Sequence, residues 1–584
     1  MTEQKEMLSG NEAIARGAYE HGVTVAAAYP GTPSTEILEN IVKYDEIYAE
    51  WAPNEKVAFE VACGSSLAGA RTLVAMKQVG LNVAADPLFT MSYIGVNGGL
   101  VIVDADDPDM HSSQNEQDNR YYAKSAKIPM LEPSDSQEAK DFVGLALDIS
   151  EEFDTPVLLR VTTRISHSST AVTLKERKTH TIKPYKQNPQ KDVMIPAHAQ
   201  KRHVFVEERT KKLQDYSEKT PVNIIEEGKG DTGIITSAIA YQYVKEVFPD
   251  APVLKLSMTY PLPVKLIEKF STMVKNIYVV EELEPYMETE IKALGIKVTG
   301  KEKLPITGEL NSSIVAKGFG IEGFKSNITL KEDVKIPKRP PVLCPGCPHR
   351  AFFYNVSRMK LNVFGDIGCY TLGMLPPLNG LHTCICMGAG IGVAHGMDKA
   401  LGREGTKKSL AVIGDSTFIH SGITGLINIV YNKGTSTVVI LDNSITAMTG
   451  RQDHPCTGKT LKGETTKKID LAVLCKSIGV DDIITVNAFD VKAVRDALKN
   501  ALDKDEPSVV IVKGMCTLID RRKKISYEVD ADKCVKCWLC LRVGCPAISK
   551  GENSSCIDPL LCRECGVCAM VCPKEAISKE SQKL

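Results

Sequence analysis

The chain has 584 residues, too many for one hydrophobic core, so several domains are expected. Its 43% hydrophobic and 24% charged residues match a soluble globular protein, and a formal net charge of -1 gives nucleic acid or an anionic membrane no electrostatic hold. The opening MTEQKEMLSGNE lacks a basic-then-apolar signal and no apolar run reaches spanning length, so a cytoplasmic protein is expected. Eighteen cysteines in such a chain, nine of them from Cys534 to Cys572, read as metal ligands kept reduced rather than as disulfides.

Residues 1–170 alternate helical and strand patterns. A helix is expected near Asn11 to His21, then an apolar strand from Val23 to Ala28. Tyr29-Pro30-Gly31-Thr32-Pro33-Ser34-Thr35 stops that strand at a rigid turn and leaves hydroxyls where an α/β sheet holds its ligand. The block NEKVAFEVACGSSLAGAR, Asn54 to Arg71, is dense in small residues that admit close helix packing or a flat cofactor, and Glu55 and Glu60 stand near its start. After a strand at Gly98 to Val103, the polar stretch Asp104 to Lys124 contains Arg120, whose guanidinium fork suits the carboxylate of a keto acid. Residues 171–230 are rich in Lys, Thr and Pro and read as an exposed linker, basic enough to dock coenzyme A phosphates. An α/β pattern resumes over 231–300, and 301–341, through VKIPKRPPV, reads as a second linker.

The next domain, 342–524, opens with Cys344-Pro-Gly-Cys347-Pro-His349-Arg350. Its centre is Ser409 to Asn443: an apolar run ending at Gly414-Asp415, a helix-period segment closing at Gly434, and a second apolar run ending at Asp442-Asn443. Such strand-helix-strand units are right-handed and place ligands beyond the strand ends, so Asp415 and Asn443 should face each other across one crevice. With the Ile445 carbonyl they form a partial set of hard oxygen ligands that suits magnesium completed by phosphate and water. Gly414 admits phosphate close to the backbone, and the following helix offers its first amides. MGAGIGVAHG, from Met387 to Gly396, is not a dinucleotide fingerprint, because the third glycine would fall at Val393, and there is no Walker phosphate loop.

The tail, 525–584, carries Cys534-x2-Cys537-x2-Cys540-x4-Cys545-Pro and Cys562-x2-Cys565-x2-Cys568-x3-Cys572-Pro. In two-cluster ferredoxins the cysteine before proline ligates the other cluster, which groups Cys534, Cys537, Cys540 and Cys572 on one [4Fe-4S] cluster and Cys562, Cys565, Cys568 and Cys545 on the second. The first run has four residues before its last cysteine where the bacterial pattern has three, which leaves Cys556 as the alternative to Cys545. Zinc is the competing metal for Cys-x2-Cys pairs. Cys63, Cys384, Cys386, Cys456 and Cys475 read as core or packing residues, and His349, His395, His420 and His454 are assigned no role.

YPGTPST, the Asn54–Arg71 block, CPGCPHR, GDSTFIHSG, LDNSITAMTGRQDHP and the cysteine tail together resemble the thiamine diphosphate-dependent 2-oxoacid:ferredoxin oxidoreductases. Across nearly the whole chain the domain order is similar to the large subunits of the indolepyruvate branch. Ser416 stands where the commoner diphosphate motif has its second glycine, and Asp442-Asn443 where it has Asn-Asn. The resemblance implies an α/β multidomain fold. A pyrimidine-binding domain would occupy 1–170, a transketolase C-terminal-like domain 231–300, a diphosphate-binding domain 342–524 and a bacterial-type 2[4Fe-4S] ferredoxin domain 525–584. It implies that Glu55, with Glu60 as rival, activates the cofactor, and that Thr32 contacts the substrate carboxylate. Gly388, Gly414, Ser416, Asp415, Asn443 and Ile445 would bind thiamine diphosphate and Mg2+, in a site between two domains. Related oxidoreductases carry a further cluster whose ligands would map to Cys344, Cys347, Cys369 and Cys516. The implied reaction converts an aryl pyruvate, chiefly indole-3-pyruvate, with coenzyme A and oxidised ferredoxin to the aryl-acetyl-CoA, carbon dioxide and reduced ferredoxin, in a complex with a small beta subunit. A pyruvate or broad 2-oxoacid oxidoreductase and a non-oxidative decarboxylase are the alternatives.

Overall fold

In the computed structural model the expected alternation of helix and strand is laid out in two units, Met1–Val334 and Lys335–Leu584. Residues 4–322, 324, 337, 340–521 and 525–579 are described. Among them no helix is long and apolar enough to cross a membrane.

The first helix of unit one, Gly10–Glu20, begins at a capping box: the Ser9 hydroxyl accepts the Glu12 N–H, and the Glu12 carboxylate accepts the Ser9 N–H at 2.8 Å. The unit is built on a seven-stranded sheet in the order Met258–Tyr260, Met130–Leu131, Val157–Thr162, Leu100–Asp106, Thr72–Lys77, Val25–Ala28, Tyr48–Trp51. All pairings are parallel except that of Met258–Tyr260. Strands covered on both faces need continuous apolar runs, and Leu73 to Met76 and Leu100 to Val103 supply them, all buried. The polar residues Lys77, Asp104 and Asp106 fall at the carboxyl ends of two of these strands.

A second sheet, Asn276–Val280, Thr232–Thr236, Val253–Leu256 and Asn223–Glu226, corresponds to the segment expected at 231–300. It is not an isolated domain. Ile235, Leu254, Phe270 and Tyr286 share one apolar cluster with Phe59 and Met76, and the strand Met258–Tyr260 is lent to the larger sheet.

The stretch read as a first linker is largely structured. Ser169–Thr173 pairs antiparallel with Lys5–Ser9, and the 22-residue helix Pro196–Ser217 follows. Only Val206, Arg209, Leu213 and Ser217 of that helix are buried, a stripe too narrow to stand out from its charged surroundings. Arg209 fastens it by donating to the carbonyls of Ser92 and Asp154 at 2.9 and 3.0 Å. The second linker, 301–341, lies partly outside the described residues, and its described part carries the helix Ser312–Gly318.

Unit two holds a six-stranded sheet, all parallel, in the order Thr383–Cys384, Asn362–Gly365, Ser409–Gly414, Thr437–Asp442, Ser508–Lys513, Asp482–Asn487. Apolar clusters cover both faces. The tail then forms two short antiparallel pairs, Tyr527–Val529 with Ile577–Lys579 and Ile548–Lys550 with Ser555–Ile557. With so little sheet, its apolar contacts are few: Cys540, Ile548 and Ile577 form one small cluster, while Val543 and Val567 pack on Ala351 and Val491.

Candidate active site

In unit two, Gly414 pairs with Leu441 in parallel register, so the loops after these strands open side by side. The Asp415 carboxylate accepts the N–H of Ser416 at 3.0 Å and that of Ser444 at 2.8 Å, which ties the two loops together. The Asn443 side-chain oxygen accepts the Ile445 N–H at 3.1 Å, and the hydroxyls of Thr446 and Ser416 bond at 2.9 Å. The loops that carry Asp415 and Asn443 are thus joined through the Ser444 N–H. His454, which was assigned no role, lies 3.4 Å from Asp415, and burial raises the Asp415 carboxyl above its ordinary value against that neighbour.

Gly388 precedes the helix Ala389–Thr406 with a φ of 82°, and a Cβ there would come within 2.7 Å of Ser421. A Cβ on Gly414 would come within 2.9 Å of the Tyr370 ring. Each glycine thus admits a close protein neighbour beside a helix start, where the first backbone amides could meet diphosphate. The oxygens of Asp415, Asn443 and Ile445 are hard donors that fit a magnesium ion sharing phosphate. Among the described residues no three His, Cys, Asp or Glu side chains form a single-ion site.

The thiols fall into three sets. Cys534, Cys537, Cys540 and Cys572 line one hollow, with Trp538 and Ser555 on its wall. Cys568 is pushed up to about 12, first by burial and then by the nearby thiols of Cys565, Cys545 and Cys562. Cys556 stands apart, exposed, with its sulfur 2.6 Å from where a Cβ on Gly551 would lie. The third set joins Cys344, Cys347, Cys369 and Cys516. Burial pushes Cys347 to about 12 and Cys369 to about 11, with Cys369 and Cys344 acting on the first and Cys516 and Cys344 on the second.

This third set sits between the other features of the unit. The Cys516 N–H donates to the Asn443 carbonyl at 3.1 Å, and a Cβ on Gly346, inside the Cys344–Cys347 turn, would come within 2.5 Å of Arg563. Arg350 spans the same junction. It is 1% exposed and donates to the carbonyls of Leu343, Cys344, Val543 and Gly544. His349 beside it is buried and pushed down to about 4 by burial and by Arg350. Two cysteines read as packing residues, Cys384 on the short edge strand Thr383–Cys384 and Cys386 just after it, are instead exposed.

In unit one, Glu55 is the first residue of the helix Glu55–Leu67, capped by Asn54, whose side chain accepts the Val57 N–H at 2.9 Å. Glu55 is 4% exposed and lies against Gly80, where a Cβ would sit 2.8 Å from its carboxylate oxygen. Its rival Glu60 faces solvent and pairs with Lys56. Thr32 follows the strand Val25–Ala28, and its carbonyl accepts the Ser112 hydroxyl at 3.0 Å. Lys77, which the sequence reading passed over, ends the neighbouring strand and donates to the Ser112 carbonyl at 2.9 Å. A lysine closing the apolar run TLVAM at a ligand-bearing edge was the available signal.

Arg120 is not a substrate fork. It is 1% exposed and bonds Asp118, Glu281 and the carbonyls of Glu282 and Glu284, with the Tyr286 ring 5.0 Å away. A buried guanidinium has to be paired, and these acids and carbonyls use its donors. Asp106 of the same stretch is likewise internal, sharing Arg160 with Glu132.

Residues 16–225 match the family described as pyruvate flavodoxin/ferredoxin oxidoreductase, thiamine diphosphate-binding, and residues 366–512 the thiamine pyrophosphate enzyme C-terminal TPP-binding domain. The indolepyruvate oxidoreductase subunit IorA of Archaeoglobus fulgidus is 45% identical over 98% of this chain and 97% of its own length. That of Pyrococcus horikoshii is 41% identical over 99% and 97%. A solved 2-oxoglutarate:ferredoxin oxidoreductase from Magnetococcus marinus aligns more loosely, at TM-score 0.45 and 17% identity over 55% of this chain and 65% of that one. The chain therefore belongs to the family of indolepyruvate oxidoreductase subunits IorA, among the thiamine diphosphate-dependent 2-oxoacid oxidoreductases.

Proposed function

We propose that this chain is the cofactor-bearing subunit of a cytoplasmic enzyme that oxidatively decarboxylates aryl pyruvates, chiefly indole-3-pyruvate. Coenzyme A would take the acyl group, ferredoxin the electrons, and a small beta subunit would complete the complex. The observation that supports the oxidative reading is the hydrogen bond from the Cys516 N–H to the Asn443 carbonyl, which ties a thiol-bearing loop to the loop assigned here to magnesium and diphosphate. A decarboxylase that releases an aldehyde has no use for such thiols. The names of its relatives favour an aryl pyruvate over pyruvate.

When bound, thiamine diphosphate supplies the carbanion chemistry that releases carbon dioxide, and iron-sulfur clusters accept electrons singly. In this reading the amides after Gly388 and Gly414, with the Ser416 hydroxyl, hold the diphosphate. Asp415, Asn443 and the Ile445 carbonyl hold magnesium. Glu55, buried and shielded from water, keeps a hydrogen bond on the aminopyrimidine, and Thr32 orients the substrate carboxylate. Cys534, Cys537, Cys540 and Cys572 would hold one [4Fe-4S] cluster of a ferredoxin-like tail, Cys545, Cys562, Cys565 and Cys568 the second, and Cys344, Cys347, Cys369 and Cys516 a third. With clusters bound, the order from diphosphate loop to third set to tail would give electrons a path out of the site.

The holoenzyme should reduce a low-potential dye with indole-3-pyruvate and phenylpyruvate far faster than with pyruvate or 2-oxoglutarate, and only with coenzyme A. Glu55→Gln should lower that rate by roughly 10²–10⁴-fold, while iron stays near about twelve per chain. An unchanged rate in Glu55→Gln, or iron near about eight, would respectively remove Glu55 or the third cluster from this account.

A further inference from the structure

With Arg120 consumed inside the fold, the keto acid still needs a cation, and one buried ammonium stands beside Thr32. Lys77 is 9% exposed at the carboxyl end of its strand, the edge where open parallel sheets hold ligands. Its stem runs along the turn that carries Thr32: a Cβ on Gly31 would lie 3.2 Å from Lys77 Cγ and Cδ. Its ammonium donates to the Ser112 carbonyl while the Ser112 hydroxyl donates to the Thr32 carbonyl, so strand end, turn and loop are laced through one serine. On the other side, Glu55 rests on Gly80, one helical turn past Lys77.

The charged groups facing Lys77 are Asp107 and Glu55. Asp107 is already engaged, accepting the Ser112 N–H at 2.8 Å and the hydroxyls of Ser113 and Thr163 at 2.6 Å each. Among the described residues no carboxylate forms an ion pair with Lys77. An ammonium has three donors, and a buried one without a bonded anion is costly to keep.

We propose that Lys77 receives the carboxylate of the 2-oxoacid substrate, side by side with Thr32, and so turns its keto carbon toward the group activated through Glu55. This rests on the reading of Thr32 and Glu55 given above. It gives the buried amine an anion that arrives with each substrate. Burial pushes the ammonium down to about 8, against the pull of Asp107 and Glu55. It is charged below that pH and neutral above it, so the grip on a carboxylate weakens as pH rises through about 8.

The test uses the holoenzyme assembled with its partner subunit, with iron content and thiamine diphosphate affinity measured on every variant. Lys77→Met should raise KM for indole-3-pyruvate and phenylpyruvate roughly tenfold or more, the worth of one charged hydrogen bond, with a smaller change in kcat. Wild-type KM should climb between pH 7 and 9. Lys77→Met should flatten that climb and Lys77→Arg should move it to higher pH while keeping KM within a few-fold. An unchanged KM in Lys77→Met, or a climb that survives in it, would reduce Lys77 to a latch on Ser112 and overturn the inference. In those cases a Glu55→Gln enzyme without turnover leaves the surrounding site standing, whereas one with full turnover removes the site as well.

Discussion

Arg120 in unit one and Arg350 in unit two are equally buried, yet their surroundings differ in kind. Arg120 is met by the carboxylates of Asp118 and Glu281 as well as by two carbonyls. Arg350 is met by four carbonyls and, among the described residues, by no carboxylate. Its charge is instead felt by the thiols of Cys347 and Cys565, which belong to two different cysteine sets. Buried cations require nearby negative charge. For Arg120 that charge is part of the chain, so it stabilises unit one at all times. For Arg350 it is expected from thiolates loaded with iron, so its contribution should come and go with the metal.

The sharpest way to break this contrast is Arg120→Met, which strands two buried carboxylates. It should cost ~3–5 kcal/mol in denaturant unfolding, equally with and without iron. A loss confined to the iron-loaded protein would show that the two arginines are not different after all. Arg350→Met should cost less, about 1.5–3 kcal/mol, in the loaded protein and close to nothing after iron is stripped. Iron retention during dialysis against chelator should fall in step, and Arg350→Lys should recover part of it. The smallest effect concerns the surroundings of Arg120. Glu282, whose carbonyl serves Arg120, has its carboxyl pushed up to about 7 by burial, against the Leu310 N–H that it accepts. The folded state then holds a proton that the unfolded chain loses near pH 4.3, so stability should fall as pH rises from about 4.3 to about 7. Glu282→Gln should flatten that slope and gain on the order of 1 kcal/mol at pH 8, read from unfolding midpoints.

The same contrast explains what could be read from the sequence. Local patterns carry their own geometry: Ser409 to Asn443 names its strands, its helix and its two loop residues within thirty-five positions, and the structure forms all of them. The cysteine spacings likewise group Cys534, Cys537 and Cys540 with the distant Cys572, and these four line one hollow. Arg120 could not be read this way, because its partner Glu281 lies 161 residues on and only the folded chain brings it near. The helix Pro196–Ser217 was hidden for a related reason: a few buried positions among many charged ones leave a weak period. Lys77 stood out as the end of an apolar run, but only the strand order sets that end beside the strand leading to Thr32.

Because the Cys516 amide hangs from the Asn443 carbonyl at 3.1 Å, a backbone hydrogen bond links the loop proposed to hold a metal to the loop that carries the Cys516 sulfur. Any ligand that tightens or loosens the first must drag the second with it. Occupancy at one end should therefore be visible as a changed spectrum at the other, with no rearrangement of the sheet beneath.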